Sequence, residues 1–140
     1  GELGHVVVDP AGPPCTCGGR GCLERAAGLE DMCRAAAVDG LDALADAAAR
    51  REPAAEAALR TGGHALGVAL AGAVNLLDVP TVVLGGGYPR LGAVLRGAVA
   101  DELARRVVWR SPVAVRTAAL GAAAALRGAA MSVVRAVLDG

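Results

Sequence analysis

The sequence predicts an α/β fold, and three observations carry that expectation. Short β-branched runs (VVVD, TVVL and VAVR) alternate with longer segments whose apolar residues recur at helical spacing. The resulting order is strand, loop, helices, strand, helix, strand, helix, the pattern of the α/β class. The chain of 140 residues is 54% hydrophobic and 20% charged, which is enough apolar material for the core of about one domain. No internal repeat or long linker interrupts it.

The elements follow in order. VVVD, Val6 to Asp9, reads as a first strand. PAGPPCTCGGRG is a loop, because Pro and Gly punctuate it throughout. Leu23 to Ala27 and Leu29 to Ala37 read as short helices joined at Gly28, and Leu41 to Arg51 as a further helix stopped before Pro53. Ala54 to Leu77 is a long helix with Leu59, Leu66, Leu70, Val74 and Leu77 along one face. Gly62, Gly63, Gly67 and Gly72 each cost that helix about 1 kcal/mol relative to Ala. Close approach of another backbone would explain them, and Gly62-Gly63 could instead mark a kink. Pro80 ends the segment, TVVL is a compact buried strand, and GGGYP turns the chain. Leu91, Leu95, Val99 and Leu103, spaced four apart, predict a helix over Leu91 to Val107. Val113 to Arg116 reads as the last strand, and Leu120 to Leu138 as a terminal Ala-rich helix bent near Gly128.

Charge and composition exclude some functions. The formal net charge is zero, from 14 basic and 14 acidic residues, so no basic stripe equips this segment to grip nucleic acid. All basic residues are Arg, and Ile, Phe and Gln are absent. That bias resembles GC-rich coding DNA and has no functional meaning. Apolar stretches are broken by Asp, Arg or Gly before they could span a bilayer, so no membrane partner is expected. No signal peptide is visible, which makes the cytoplasm the expected compartment and disulfides disfavoured there. The start at Gly1 reads as a fragment whose upstream part is missing.

The stretch richest in chemistry is GELGH followed by CTCGGRGCLE. Cys15, Cys17 and Cys22 can wrap one ion, with glycines letting the loop turn sharply, and His5 can supply a fourth ligand. Such a Cys3His set leaves no position for water, so the metal would be structural. A redox pair or chance clustering are the alternatives. Cys33, in an Ala-rich helix, reads as a small core hydrophobe. Glu2 and Glu24 flank the cluster. Closing it would draw two carboxylates together, and carboxylates accept the paired donors of vicinal sugar hydroxyls. The plainer alternative leaves Glu24 favouring a helix N-terminus and Glu2 solvated.

GELGH with GPPCTCGGRGCLE at this distance resembles the signature of the ROK family of repressors and sugar kinases. VNLLDVPTVVLGGG is similar to its helix, strand and glycine-rich turn, and LGAAAALRGAA to its closing helix. Val79 before Pro80 departs from the usual pattern and would shift the helix end by one residue. The resemblance implies an actin-like (ribonuclease-H-like) ATPase fold, of which residues 1–140 would be the C-terminal part and supply the second lobe. Residues 1–27 would be its sugar and zinc motif, 28–140 its remaining helices and strands, with the N-terminal half absent. It implies structural zinc on His5, Cys15, Cys17 and Cys22, and a sugar or amino sugar on Glu2, His5 and Glu24. In kinases of the family Gly85, Gly86 and Gly87 would lie against ATP and its Mg; a tight turn is the competing explanation. The phosphate-binding loop and catalytic Asp of such kinases have no counterpart in this chain, which is therefore expected to be inactive alone; Asp9 and Asp78 are strand-end and helix-end residues. The leading expectation is the sugar-binding part of a homo-oligomeric, sugar-responsive transcriptional repressor, reaching DNA only through an upstream helix-turn-helix outside this sequence. The alternative is part of an ATP-dependent hexose or N-acetylhexosamine kinase; an inactive remnant is a third.

Overall fold

A computed structural model describes residues 2–107 and 112–139. Four helices lead the chain: α1 (Glu24–Ala27), α2 (Leu29–Ala35), α3 (Gly40–Ala49) and α4 (Pro53–Leu77). Strand β1 (Thr81–Leu84), helix α5 (Gly92–Arg106), strand β2 (Ala114–Thr117) and helix α6 (Ala124–Asp139) complete it. β1 and β2 pair in parallel, with Thr81 opposite Ala114 and Leu84 opposite Thr117. Parallel neighbours need a crossover, and α5 lies in it.

Helix α4 is the spine. Pro53 occupies its first turn, where a missing N–H costs nothing, and Asp78 ends it in the left-handed conformation. Of the predicted stripe, Leu59, Leu66 and Val74 are buried, while Leu77 is exposed. The helix runs without a break through Gly62-Gly63, so the close-approach explanation holds there. A Cβ on Gly62 would stand 2.5 Å from Met32 Sδ; one on Gly63 would stand 2.8 Å from the Leu95 carbonyl oxygen. A Cβ on Gly67 would collide with that of Glu102. Gly72 meets nothing within 4 Å, so close approach does not explain it.

Helix α5 therefore lies in near-backbone contact with α4, and Leu91, Leu95, Val99 and Leu103 are all buried. The core has two parts. One gathers Leu23, Leu66, Val82, Leu84, Val99 and Leu103; the other gathers Met32, Leu44, Leu59, Leu91 and Leu95. Glu102 is buried between them and the solvent, held by Arg105 (2.5 Å), Arg106 (2.6 Å) and His64 (2.9 Å). Arg106 most of all holds its carboxyl below the usual glutamate range, against the opposing effect of burial.

Two expectations are corrected. Val6–Asp9 is not a strand: His5 ends a 3-10 turn (Leu3–His5), and only Val7 bridges, to Cys22. Val8 and Asp9 N–H both donate to the one Gly21 carbonyl, so the pairing is irregular and no ladder extends from the bridge. The last helix passes Gly128 unbroken and buries none of its described side chains; Leu126, Val137 and Leu138 are exposed. Among the described residues no helix is long and apolar enough to cross a membrane.

Candidate functional site

The N-terminal stretch folds as a knuckle. Leu23 N–H donates to the Val6 carbonyl (2.8 Å) and Val8 N–H to that of Gly21 (2.9 Å), so the segment after His5 and the segment after Cys22 run side by side. Between them Pro14 bridges Arg20, and Cys15 N–H donates to the Gly19 carbonyl (2.8 Å). Cys15 and Cys17 thus sit on a tight turn, and Cys22 returns beside them. Gly21 is required here. Its φ is +70°, and a Cβ would run into the Asp9 carbonyl oxygen. Asp9 accepts from Ala11 N–H at 3.0 Å, which gives it a turn-forming role.

Four donors converge in the knuckle: one atom each of His5, Cys15, Cys17 and Cys22, all within 4.8 Å of one another. His5 Nδ1 lies 3.8 Å from Cys15 Sγ, and Cys17 Sγ lies 3.6 Å from Cys22 Sγ. A tetrahedral ion with metal–sulfur bonds of about 2.3 Å holds neighbouring sulfurs about 3.8 Å apart, so the group could hold a metal ion. A disulfide would need sulfurs about 2.05 Å apart, and all four cysteines are free. Burial above all, then the neighbouring Cys17 and Cys15, pushes the Cys22 thiol up to about 11. The Cys17 backbone hydrogen bond leads in bringing Cys15 down to about 7. Without a cation among them, these sulfurs cannot all ionise near neutral pH. Cys33 is buried in the core, as expected.

His5 also faces a cleft. Its Nε2 is 3.2 Å from Glu2 Oε2, and its Nδ1 is 3.8 Å from Glu24 Oε2. Glu24 opens α1, directly after the knuckle. The cleft, about 460 Å³, is walled by Glu2, His5, Glu24 and Tyr88, with Leu23, Ala27, Gly4 and Gly28 completing it. Both carboxylates flanking the cysteines in sequence therefore meet the histidine in space. Their outer faces are open to solvent, where they can accept hydrogen bonds from a ligand.

Gly85, Gly86 and Gly87 form the turn from β1 to Tyr88 and do not line this cleft. Gly86 has φ +61° and open space around it, whereas a Cβ on Gly87 would stand 2.8 Å from both Leu29 and Leu41. Packing thus accounts for Gly87 before any ligand does. Tyr88 is the residue sequence reasoning missed. A single aromatic after a glycine turn was the available signal, but nothing local says that its hydroxyl reaches the Ala27 carbonyl, at 3.0 Å.

A larger groove of about 580 Å³ follows α4 and α5, lined in part by Arg60, His64, Asp101 and Arg105. Arg60 is paired with Glu56, and His64 and Arg105 with Glu102.

The sequence profile described as "ROK family" matches residues 1–136. The chain belongs to the ROK family. It is 37% identical to the kanosamine kinase of Amycolatopsis mediterranei, over 91% of this chain and 44% of that one. It is 26% identical to the DNA-binding transcriptional repressor Mlc of Escherichia coli, over 76% of this chain and 30% of the repressor. Among solved structures, a ROK glucokinase from Streptomyces griseus in complex with glucose and AMPPNP superposes with a TM-score of 0.79 at 28% identity, covering 92% of this chain and 49% of that one. This ROK chain thus spans about half the length of the kinases it matches. Its α/β architecture is like that of ROK sugar kinases, which have the actin-like ATPase fold.

Proposed function

We propose that this chain is the sugar-recognition part of a ROK protein, built around a structural zinc. His5, Cys15, Cys17 and Cys22 would hold the ion, and the donor spacing supports that assignment. When bound, zinc supplies a cross-link between the two sides of the knuckle and no chemistry on the ligand. The residues do the recognising. With Nδ1 turned to the cysteines, His5 donates from Nε2 to the Glu2 carboxylate, which fixes that carboxylate at the mouth of the cleft. Glu24 stands on the other side of the same imidazole. Glu2 and Glu24 then accept hydrogen bonds from hydroxyls of a sugar or amino sugar. The observation that carries this reading is that one imidazole touches both the cysteine cluster and the two carboxylates.

Two fates of the bound sugar fit such a site. Sensing by a transcriptional repressor, through a DNA-binding segment elsewhere, is supported by the likeness to Mlc. ATP-dependent phosphorylation is supported by the higher identity to kanosamine kinase over more of the chain, 37% against 26%. In that second reading Gly85 and Gly86 would approach the nucleotide, and the base activating the sugar hydroxyl would come from outside these residues.

Calorimetric titration of the zinc-loaded protein with a panel of hexoses and N-acetylhexosamines tests the sugar reading. Glu24→Ala is expected to weaken binding about tenfold or more, while one zinc per chain is retained. Absence of binding by the wild type across the panel would overturn the reading.

A further inference from the structure

Tyr88 has no part in the Glu2, His5 and Glu24 set, yet it occupies a distinctive place. It follows the glycine turn directly, walls the cleft, and packs against both halves of the core. Its hydroxyl donates to the Ala27 carbonyl at the C-terminal end of α1, the helix whose first residue is Glu24. A carbonyl in the last turn of a helix has no intrahelical partner, so this bond supplies one. The ring is thereby pinned at two ends, by the backbone of the turn and by its own hydroxyl. Glu24 adds to burial in pushing the phenol up, which agrees with their standing across one cleft.

A pyranose offers hydroxyls around its edge and C–H groups on its faces. Carboxylates suit the edge. An aromatic ring suits the face, because its negative π surface attracts the polarised C–H groups and excludes water from them. The chain has one Tyr, one Trp and no Phe, and Trp109 lies outside the described residues. Tyr88 is therefore the only such ring that the described residues bring to the cleft.

We infer that Tyr88 is the specificity-determining wall of the cleft, its ring taking the C–H face of a pyranose and its hydroxyl positioning α1 and hence Glu24. This rests on the sugar-binding reading above. It selects cyclic sugars over open-chain polyols that carry the same hydroxyls, since only the ring form presents a continuous C–H face.

The test uses the zinc-loaded protein, the hexose or N-acetylhexosamine it binds most tightly, and the matching acyclic alditol. Wild type should prefer the cyclic sugar. Y88A loses both the ring and the bond to Ala27; it should weaken the alditol about as much as Y88F does and the cyclic sugar roughly tenfold further, so the preference collapses. Y88F keeps the ring and loses the bond to Ala27; it should weaken both ligands by roughly two- to tenfold and preserve the preference. Sugar binding should also perturb the tyrosine absorption band of wild type, and the Y88F difference spectrum assigns that change to Tyr88. Equal losses for both ligands in Y88A, or a sugar titration without a Tyr88-dependent spectral change, would overturn the inference. If Y88A does not fold, the Y88F and spectral arms decide it alone. A wild type that binds no sugar defeats the underlying reading as well, and the wild-type arm distinguishes that failure from a failure confined to Tyr88.

Discussion

Gly63→Ala puts the seam between α4 and α5 to a direct test. The added methyl would stand 2.7 Å from the Ala98 Cβ and 2.8 Å from the Leu95 carbonyl oxygen. Neither can swing aside, because one is the shortest of side chains and the other is backbone. Restoring an ordinary contact of about 3.4 Å to both requires the helices to part by roughly 0.7 Å. Overpacking of this kind costs about 1–3 kcal/mol, and a backbone obstacle places it near the upper end. Ala gains about 1 kcal/mol over Gly in helix propensity, so the net loss is about 1–2 kcal/mol. Gly72→Ala, in the same helix with nothing within 4 Å, carries the propensity gain alone. The difference between the two variants cancels propensity and reads the steric cost, about 2–3 kcal/mol. Urea unfolding of wild type, Gly63→Ala and Gly72→Ala measures it, with unchanged m-values required for the comparison. A Gly63→Ala protein as stable as Gly72→Ala would refute the close approach of α5.

Two further outcomes follow from the site and the core. If one knuckle supports both zinc and sugar, as proposed, Cys17→Ser loses the two together; elemental analysis beside calorimetry checks this, and intact sugar affinity without metal would break the coupling. Glu102 makes the fold acid-sensitive. Its carboxyl is held below the ordinary 4.5, chiefly by the Arg106 hydrogen bond, so its stabilisation is complete above that value and fades as pH falls through the lowered one. Thermal melts of Glu102→Gln should show a shallower loss between neutral and acidic pH than wild type, and parallel curves would assign the acid sensitivity elsewhere.

Legibility from sequence followed the distance over which each feature is decided. The period of Leu91, Leu95, Val99 and Leu103 is local and reported a buried helix face correctly. The cysteines, His5 and the two glutamates lie within residues 2–24, and the knuckle that unites them closes within that same stretch. The strand expected at Val6–Asp9 had the right residues and a neighbour, but Val8 and Asp9 share the Gly21 carbonyl and no ladder extends from the single bridge; pairing of that kind is not a local property. Tyr88 meets the carbonyl of Ala27 across 61 positions, a contact no spacing rule could supply. The terminal Ala-rich helix expected over Leu120 to Leu138 forms as α6, yet composition says nothing of what covers it, and none of its described side chains is buried here.

The helix seam has a consequence for how the cleft can adapt. β1, the glycine turn and Tyr88 are strung between the end of α4 and the start of α5, two rods locked together at Gly63 and Gly67. That wall has little freedom to yield to an incoming ligand. Accommodation would fall to the opposite bank, where Glu2 and His5 hang on a short turn tethered to the cysteine knuckle. Backbone amides of α4 and α5 at the seam should then be the slowest in the chain to exchange with deuterium, and ligand-dependent protection should gather on residues 2–24.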